Sequence, residues 1–210
     1  MITLSQLSLF SAASLVLIFT PGPDILYVMT RGVAQGRGAA FAAASGFSLG
    51  NIVHTLAATA GLSAILASSA TAFGLVKLAG GLYLIYLGVR LFRAGDTPLG
   101  EENDQPTKRL GAIFRQSIIA NVLNPKVAIF FLAFFPQFIR PENGSPQFQM
   151  LLLGMTFIVL TFFGFNIVGW FAGSLGEWLK RRPSVGRWIH RLAGSVLVGL
   201  GLKLAWPESH

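Results

Sequence analysis

Residues 20–24 read Thr20-Pro21-Gly22-Pro23-Asp24, set between Leu15-Val16-Leu17-Ile18-Phe19 and Ile25-Leu26-Tyr27-Val28-Met29. Two prolines and a glycine interrupt any helical hydrogen-bond ladder, and here the interruption falls inside an apolar run. Broken backbone at membrane depth is tolerated only where protein or a water-lined cavity receives the freed polar groups. A carboxylate at such a point is costly unless it is paired, hydrated or protonated. The segment therefore reads either as a functional break within a membrane helix or as a loop just outside the bilayer, with Asp24 near the headgroups.

The rest of the chain decides for the membrane. Of its 210 residues 53% are apolar and 11% charged, whereas an ordinary soluble domain is about one-quarter charged. Apolar stretches of roughly twenty residues, enough to cross a bilayer, recur from end to end. The predicted fold is an all-α integral membrane protein of about six transmembrane helices, near residues 5–29, 39–67, 70–92, 114–139, 147–176 and 188–206. A polar connector at 93–112 separates two three-span halves, 1–92 and 113–210.

Lys and Arg number 16 against 8 Asp and Glu. A basic balance can signal a nucleic-acid partner, but these residues fall between the apolar runs. Arg31, Arg37, Arg90, Arg93, Lys108, Arg109, Arg115, Lys180, Arg181, Arg182, Arg187 and Arg191 share one membrane face, opposite Lys77, Arg140 and Lys203. Basic loops stay cytoplasmic, which predicts that both termini and the loop from Glu142 to Pro146 lie outside. No nucleic-acid partner is expected. The chain has no Cys, and His54, His190 and His210 are its three His, so neither thiol chemistry nor a metal cluster follows, and no cofactor is implied. The N-terminal ten residues lack Lys and Arg, against a cleaved signal peptide.

A second interruption, Asn121-Val122-Leu123-Asn124-Pro125-Lys126, precedes the apolar run Val127 to Phe135. Here a lysine replaces the acid. Paired breaks in the first helix of each half point to a transporter's midplane site. Lys77-Leu78-Ala79-Gly80 also matches Arg191-Leu192-Ala193-Gly194, and after a one-residue slip Gly88-Val89-Arg90-Leu91 matches Gly201-Leu202-Lys203-Leu204. Three spans per half would make this an inverted repeat, with broken first and fourth helices. Against that symmetry, both breaks lie nearer the proposed cytoplasmic side on these boundaries.

The expected charged centre is Asp24 with Lys126, paired at rest and opened by substrate. Pro21, Gly22, Pro23, Asn124 and Pro125 shape the breaks, with Thr20 and Asn121 beside them. Within the spans Ser45, Ser48, Asn51, His54, Thr55, Thr161 and Asn166 are polar. Asn51 and His54 share a helix face and either line a substrate path or bond neighbouring helices. Gly46 with Gly50, and Gly169 with Gly173, have the spacing of close helix contacts.

The Pro-Gly-Pro segment, the stretch Gly46 to Asn51 and Asn124-Pro125-Lys126 together resemble the LysE/RhtB family of amino-acid exporters over nearly the whole chain. That resemblance implies a secondary transporter for amino acids or related metabolites in a bacterial-type inner (cytoplasmic) membrane, driven by proton antiport. A neutral zwitterion suits one acid and one base better than lysine does. The alternatives are a small-solute channel and an intramembrane enzyme, which would need a nucleophile and base, a metal site or an acid pair. The glycine-rich faces permit a homodimer.

Overall fold

The computed structural model describes residues 2–68, 70–93, 107–172, 174, 178 and 182–205, and every regular element among them is helical. Helices α1 (Leu4–Phe19) and α2 (Pro23–Gln35) form a pair bent by 58°. Then come α3 (Arg37–Ser68) and α4 (Ala70–Arg93). After the connector, α5 (Leu110–Val122) meets α6 (Pro125–Ile129) at a second break. A π-helical turn (Phe130–Phe134) and a 3-10 turn (Phe135–Phe138) prolong α6, and this pair is bent by 46°. Helices α7 (Pro146–Trp170) and α8 (Pro183–Ala205) complete the described fold. Most of the connector, residues 94–106, lies outside the described residues, as do Gly173 and the last five residues.

Among the described residues, by length and composition α7 alone is long and apolar enough to cross a membrane, and three spans qualify if each bent pair is one. Helices α3, α4 and α8 have the length, at 32, 24 and 23 residues. Much of α3 is Ala, Gly, Ser and Thr, which pack closely but are weakly apolar.

The first span runs six residues beyond the predicted end at Met29, to Gln35. It stops at Gly36, whose φ of 80° suits glycine. Arg31 is therefore inside α2 and buried, with its guanidinium over the Tyr27 ring at 5.2 Å. This places the first break differently within its span. It has 16 residues on one side and 13 on the other, and the second has α5's 13 residues on one side. At 1.5 Å rise each arm is about 20–24 Å long, so neither break is close to a span end.

Small residues let the helices approach. A methyl group on Gly46 would run into Phe114 O, so α3 meets the α5 backbone there, and one on Gly50 would lie 2.6 Å from the Asn121 side-chain oxygen Oδ1. Gly169 of α7 is as tightly set against Ala40 of α3. Between α4 and α8, Gly81 faces Gly201 and Gly88 faces Gly194, each within 2.6–2.8 Å of where a methyl would sit. Aromatic rings fill the region beside the second break: Phe10, Phe130, Phe131, Phe135, Phe138 and Phe157 are all buried, with ring centroids 5.0–6.2 Å apart.

Polar networks close both ends of this bundle. At the α1 N-terminal end, buried Gln6 donates to Phe138 O and to Gln149 Oε1 at 3.2 Å, while Gln149 donates to Arg140 O at 2.8 Å. At the other end Gln35 exchanges hydrogen bonds with the Lys108 backbone at 3.0 and 3.1 Å. Gln116 there accepts from Lys108 Nζ at 2.8 Å and from the Tyr27 hydroxyl at 3.1 Å.

Candidate functional site at the two helix breaks

Each break is built the same way. Pro23 opens α2 and Pro125 opens α6, where a missing N–H costs nothing and the fixed φ suits a helix start. Both rings are exposed, while Pro21 and Gly22 are half-buried. Thr20 ends α1 with its N–H and hydroxyl both donating to Val16 O, at 2.9 and 2.6 Å. Asn124 caps α6 by accepting from Lys126 N at 2.9 Å.

The two breaks touch. Asp24 is 3% exposed and Lys126 6% exposed. The Asn124 amide donates to Asp24 Oδ1, so this one side chain joins the carboxylate of the first break to the backbone of the second. Lys126 Nζ donates to Leu17 O and Thr20 O, both at 3.3 Å. A methyl group on Gly22 would lie 3.1 Å from that Nζ. The expected direct pairing is thus replaced by an indirect one. The acid is held by Asn124 and the ammonium by the carbonyl end of α1, where a cation is favoured by the helix dipole, while the two charges still act on each other electrostatically.

His54 joins the same neighbourhood from α3. Its Nε2 lies 3.0 Å from Asn121 O at the carbonyl end of α5, its ring stacks on Phe131 at 5.6 Å and 21°, and it acts electrostatically on Asp24. Asn51, one turn earlier on α3, instead turns to α7 and donates to Thr161 Oγ1 at 3.3 Å. The side-chain oxygens of Asn51 and Asn121 are buried and accept no hydrogen bond from the protein. Asn166 is not part of this assembly: its amide donates to Phe162 O in its own helix at 2.7 Å.

Leu17 and Phe131 contribute contacts that sequence reasoning did not single out. Leu17 does so only through its carbonyl, and a phenylalanine among many in an apolar run carries no distinguishing mark. The Gln6 and Gln149 network also went unnoticed, although two amides buried in apolar helices are a signal of polar contact between them.

The sequence model of the LysE type translocator family matches residues 15–207, and the chain belongs to that family. It is 28% identical over 193 residues to the leucine efflux protein of Klebsiella pneumoniae, covering 92% of this chain and 91% of the relative. The homoserine/homoserine lactone efflux protein of Salmonella typhi is 32% identical over 193 residues, 91% and 92% of the two chains. A membrane protein of Vibrio cholerae is 31% identical over 200 residues, 93% and 94% of the two. No solved structure matches. The chain is therefore a multi-pass membrane protein of a translocator family whose named relatives are efflux transporters, not enzymes.

Proposed function

We propose that this member of the LysE type translocator family is a secondary carrier that exports a small neutral amino acid or a close derivative by proton antiport across a bacterial-type inner membrane. The observation that carries this is the buried meeting of an acid and a base at two helix breaks, joined through Asn124. A zwitterion offers an ammonium to Asp24 and a carboxylate to Lys126. Both are already occupied, Asp24 by the Asn124 amide and Lys126 by Leu17 O and Thr20 O. A bound substrate therefore has to draw Lys126 off the carbonyl end of α1. That couples binding to movement of the broken helix, which is what alternating access requires. The unmatched oxygens of Asn51 and Asn121 favour a donor-rich ligand nearby, because buried acceptors are normally satisfied. The names of relatives supply leucine, homoserine and homoserine lactone as first candidates.

An inverted repeat of two three-span halves draws support from α4 and α8. The repeat equates Gly80 with Gly194 and Gly88 with Gly201, so a two-fold axis would match the contact of Gly88 with Gly194 by one of Gly201 with Gly80. The contacts run Gly88 to Gly194 and Gly201 to Gly81, reciprocal to within one residue. Six spans follow if α3, α4 and α8 each cross and each bent pair is one span. A cytoplasmic face at the α2 C-terminal end is supported by Arg37 lying 4.0 Å over the Trp170 ring and Arg182 5.9 Å from that of Trp178, basic and aromatic anchors typical of an interface. A homodimer draws nothing from Gly46, Gly50 or Gly169, which pack inside the chain.

The test is uptake into proteoliposomes across a panel of radiolabelled amino acids, with and without a proton gradient. Saturable, gradient-stimulated uptake of one or a few is expected. Non-saturable flux would favour the channel, and no flux for any amino acid would remove the export assignment.

A further inference from the structure

The carbonyl end of each broken helix is held by a basic side chain from the other half of the chain. Lys126 holds α1 at Leu17 and Thr20, and His54 holds α5 at Asn121. The two are not equivalent chemically. An ammonium has three N–H donors and no acceptor, whereas imidazole has two distinct nitrogens and is the side chain whose charge change falls between about pH 5 and 8 when unperturbed. We infer that His54 is a proton-sensitive positioning residue for the second break, linking its protonation to the placement of α5 against α3. As part of a transport cycle this rests on the proton-antiport proposal above; as a statement about the break it stands on the geometry.

A carbonyl oxygen only accepts hydrogen bonds, so the 3.0 Å contact to Asn121 O requires that Nε2 carry a hydrogen. The neutral ring then has its lone pair on Nδ1, and that is where a second proton goes. Adding it changes three contacts at once. A neutral donor at the carbonyl end of α5 becomes a cation there, which the helix dipole strengthens. The ring stacked on Phe131 becomes a cation over an aromatic face. The positive charge also acts on Asp24 across the site. From the surrounding elements, α5 presents the Asn121 carbonyl, the π-helical turn presents the neutral Phe131 ring, α2 presents Asp24, and α6 presents Lys126, which acts on that same carboxylate. Loss of the proton weakens all three contacts while keeping the single Nε2–H bond, so α5 is held less firmly in the deprotonated protein. The tight seat of Asn121 against Gly50 means that a shift of this end moves the α3–α5 contact as a whole.

The absence of cysteine lets spin labels be placed without further changes. Leu123 at the second break and Phe163 on α7 are both exposed, and the Leu123→Cys, Phe163→Cys protein in liposomes is labelled and its distance distribution recorded at about pH 5.5 and about pH 8. A shift between the two is expected, and it is expected to vanish in His54→Gln, which keeps an N–H donor without a titratable ring, and to persist in Asp24→Asn. A distribution that is the same at both pH values in the unsubstituted background, or a shift that survives His54→Gln, overturns the inference. Should His54→Gln fail to fold, the His190→Asn, His210→Asn protein carries His54 as its one imidazole, and nitrogen-15 spectra of the labelled ring decide. A ring that stays in one protonation state across that range also overturns it. Leucine and homoserine counterflow by the unsubstituted protein scores the export proposal separately, since the labels report on His54 whatever is carried.

Discussion

Lys126 reaches from the second break to Thr20 at the first, its Nζ 3.3 Å from the Thr20 carbonyl oxygen. Leu17 O lies at the same distance, so one side chain satisfies two carbonyls left over where α1 ends. Burial of an unsatisfied carbonyl costs about 1–3 kcal/mol. Lys126→Met is therefore expected to lower the melting temperature of the purified protein and to abolish export. An unchanged melting temperature would show that these carbonyls find other donors.

Asp24→Asn separates a binding role from a structural one. Asparagine has the same size and retains an oxygen for the Asn124 amide, so the variant is expected to insert and accumulate normally. Its loss is the charge that would hold an ammonium. A charge-assisted contact of about 1.5–3 kcal/mol corresponds to a fall of roughly ten- to hundredfold in transport, measured as initial efflux rate per unit of membrane protein. Normal efflux with Asn at 24 would end the proposed role of this carboxylate.

The glycine contacts predict their own sensitivity. Gly201→Leu drives a side chain into Gly81 O and Ile85, where overpacking costs about 1–3 kcal/mol. Gly199 on the same helix meets nothing within 4 Å. Gly199→Leu is thus expected to leave thermal stability unchanged while Gly201→Leu lowers it. Equal effects would mean that leucine anywhere in α8 disturbs the protein.

Topology is tested at Glu142, in the exposed 3-10 turn between the second bent span and α7. Glu142→Cys is the protein's first thiol, and an impermeant reagent is expected to label it in intact cells. Labelling only after the membrane is opened would invert the proposed orientation.

The breaks were legible because proline and glycine act on their own backbone: Pro21, Gly22, Pro23 and Pro125 interrupt helices whatever surrounds them. The charges at Asp24 and Lys126 were legible because an ion in an apolar run has to be explained. Their partners were not. Sequence offers two opposite charges and suggests a direct pair, but the side chain that holds Asp24 is the neutral Asn124, and Lys126 is held by carbonyls. Any residue has a carbonyl, so Leu17 carries no mark in the sequence. The end of α2 was misjudged for a related reason. Arg31 looked like the start of a loop, yet a guanidinium laid over Tyr27 and bonded to Gln35 at 2.9 Å is compatible with a buried helix position.

Lys126 is proposed to receive the carboxylate end of the substrate, and homoserine and its lactone separate that role from its hold on α1. Homoserine and its lactone both carry an ammonium, but the lactone has no free carboxylate. If the carboxylate goes to Lys126, replacing that lysine removes a contact that only the open amino acid makes. Any damage to folding or to the α1 cap falls equally on both substrates, so their ratio isolates the binding effect. Lys126→Gln, which keeps two N–H donors for the Leu17 and Thr20 carbonyls, is the better variant for this comparison than Lys126→Met. The contact is expected to be worth about 1.5–3 kcal/mol, and transport of homoserine should therefore fall roughly ten- to hundredfold more than transport of the lactone. Competition assays in proteoliposomes, with each compound tested against the same labelled probe, measure the ratio directly. A ratio unchanged by Lys126→Gln would remove the carboxylate from Lys126 and leave this lysine as the clamp on the end of α1.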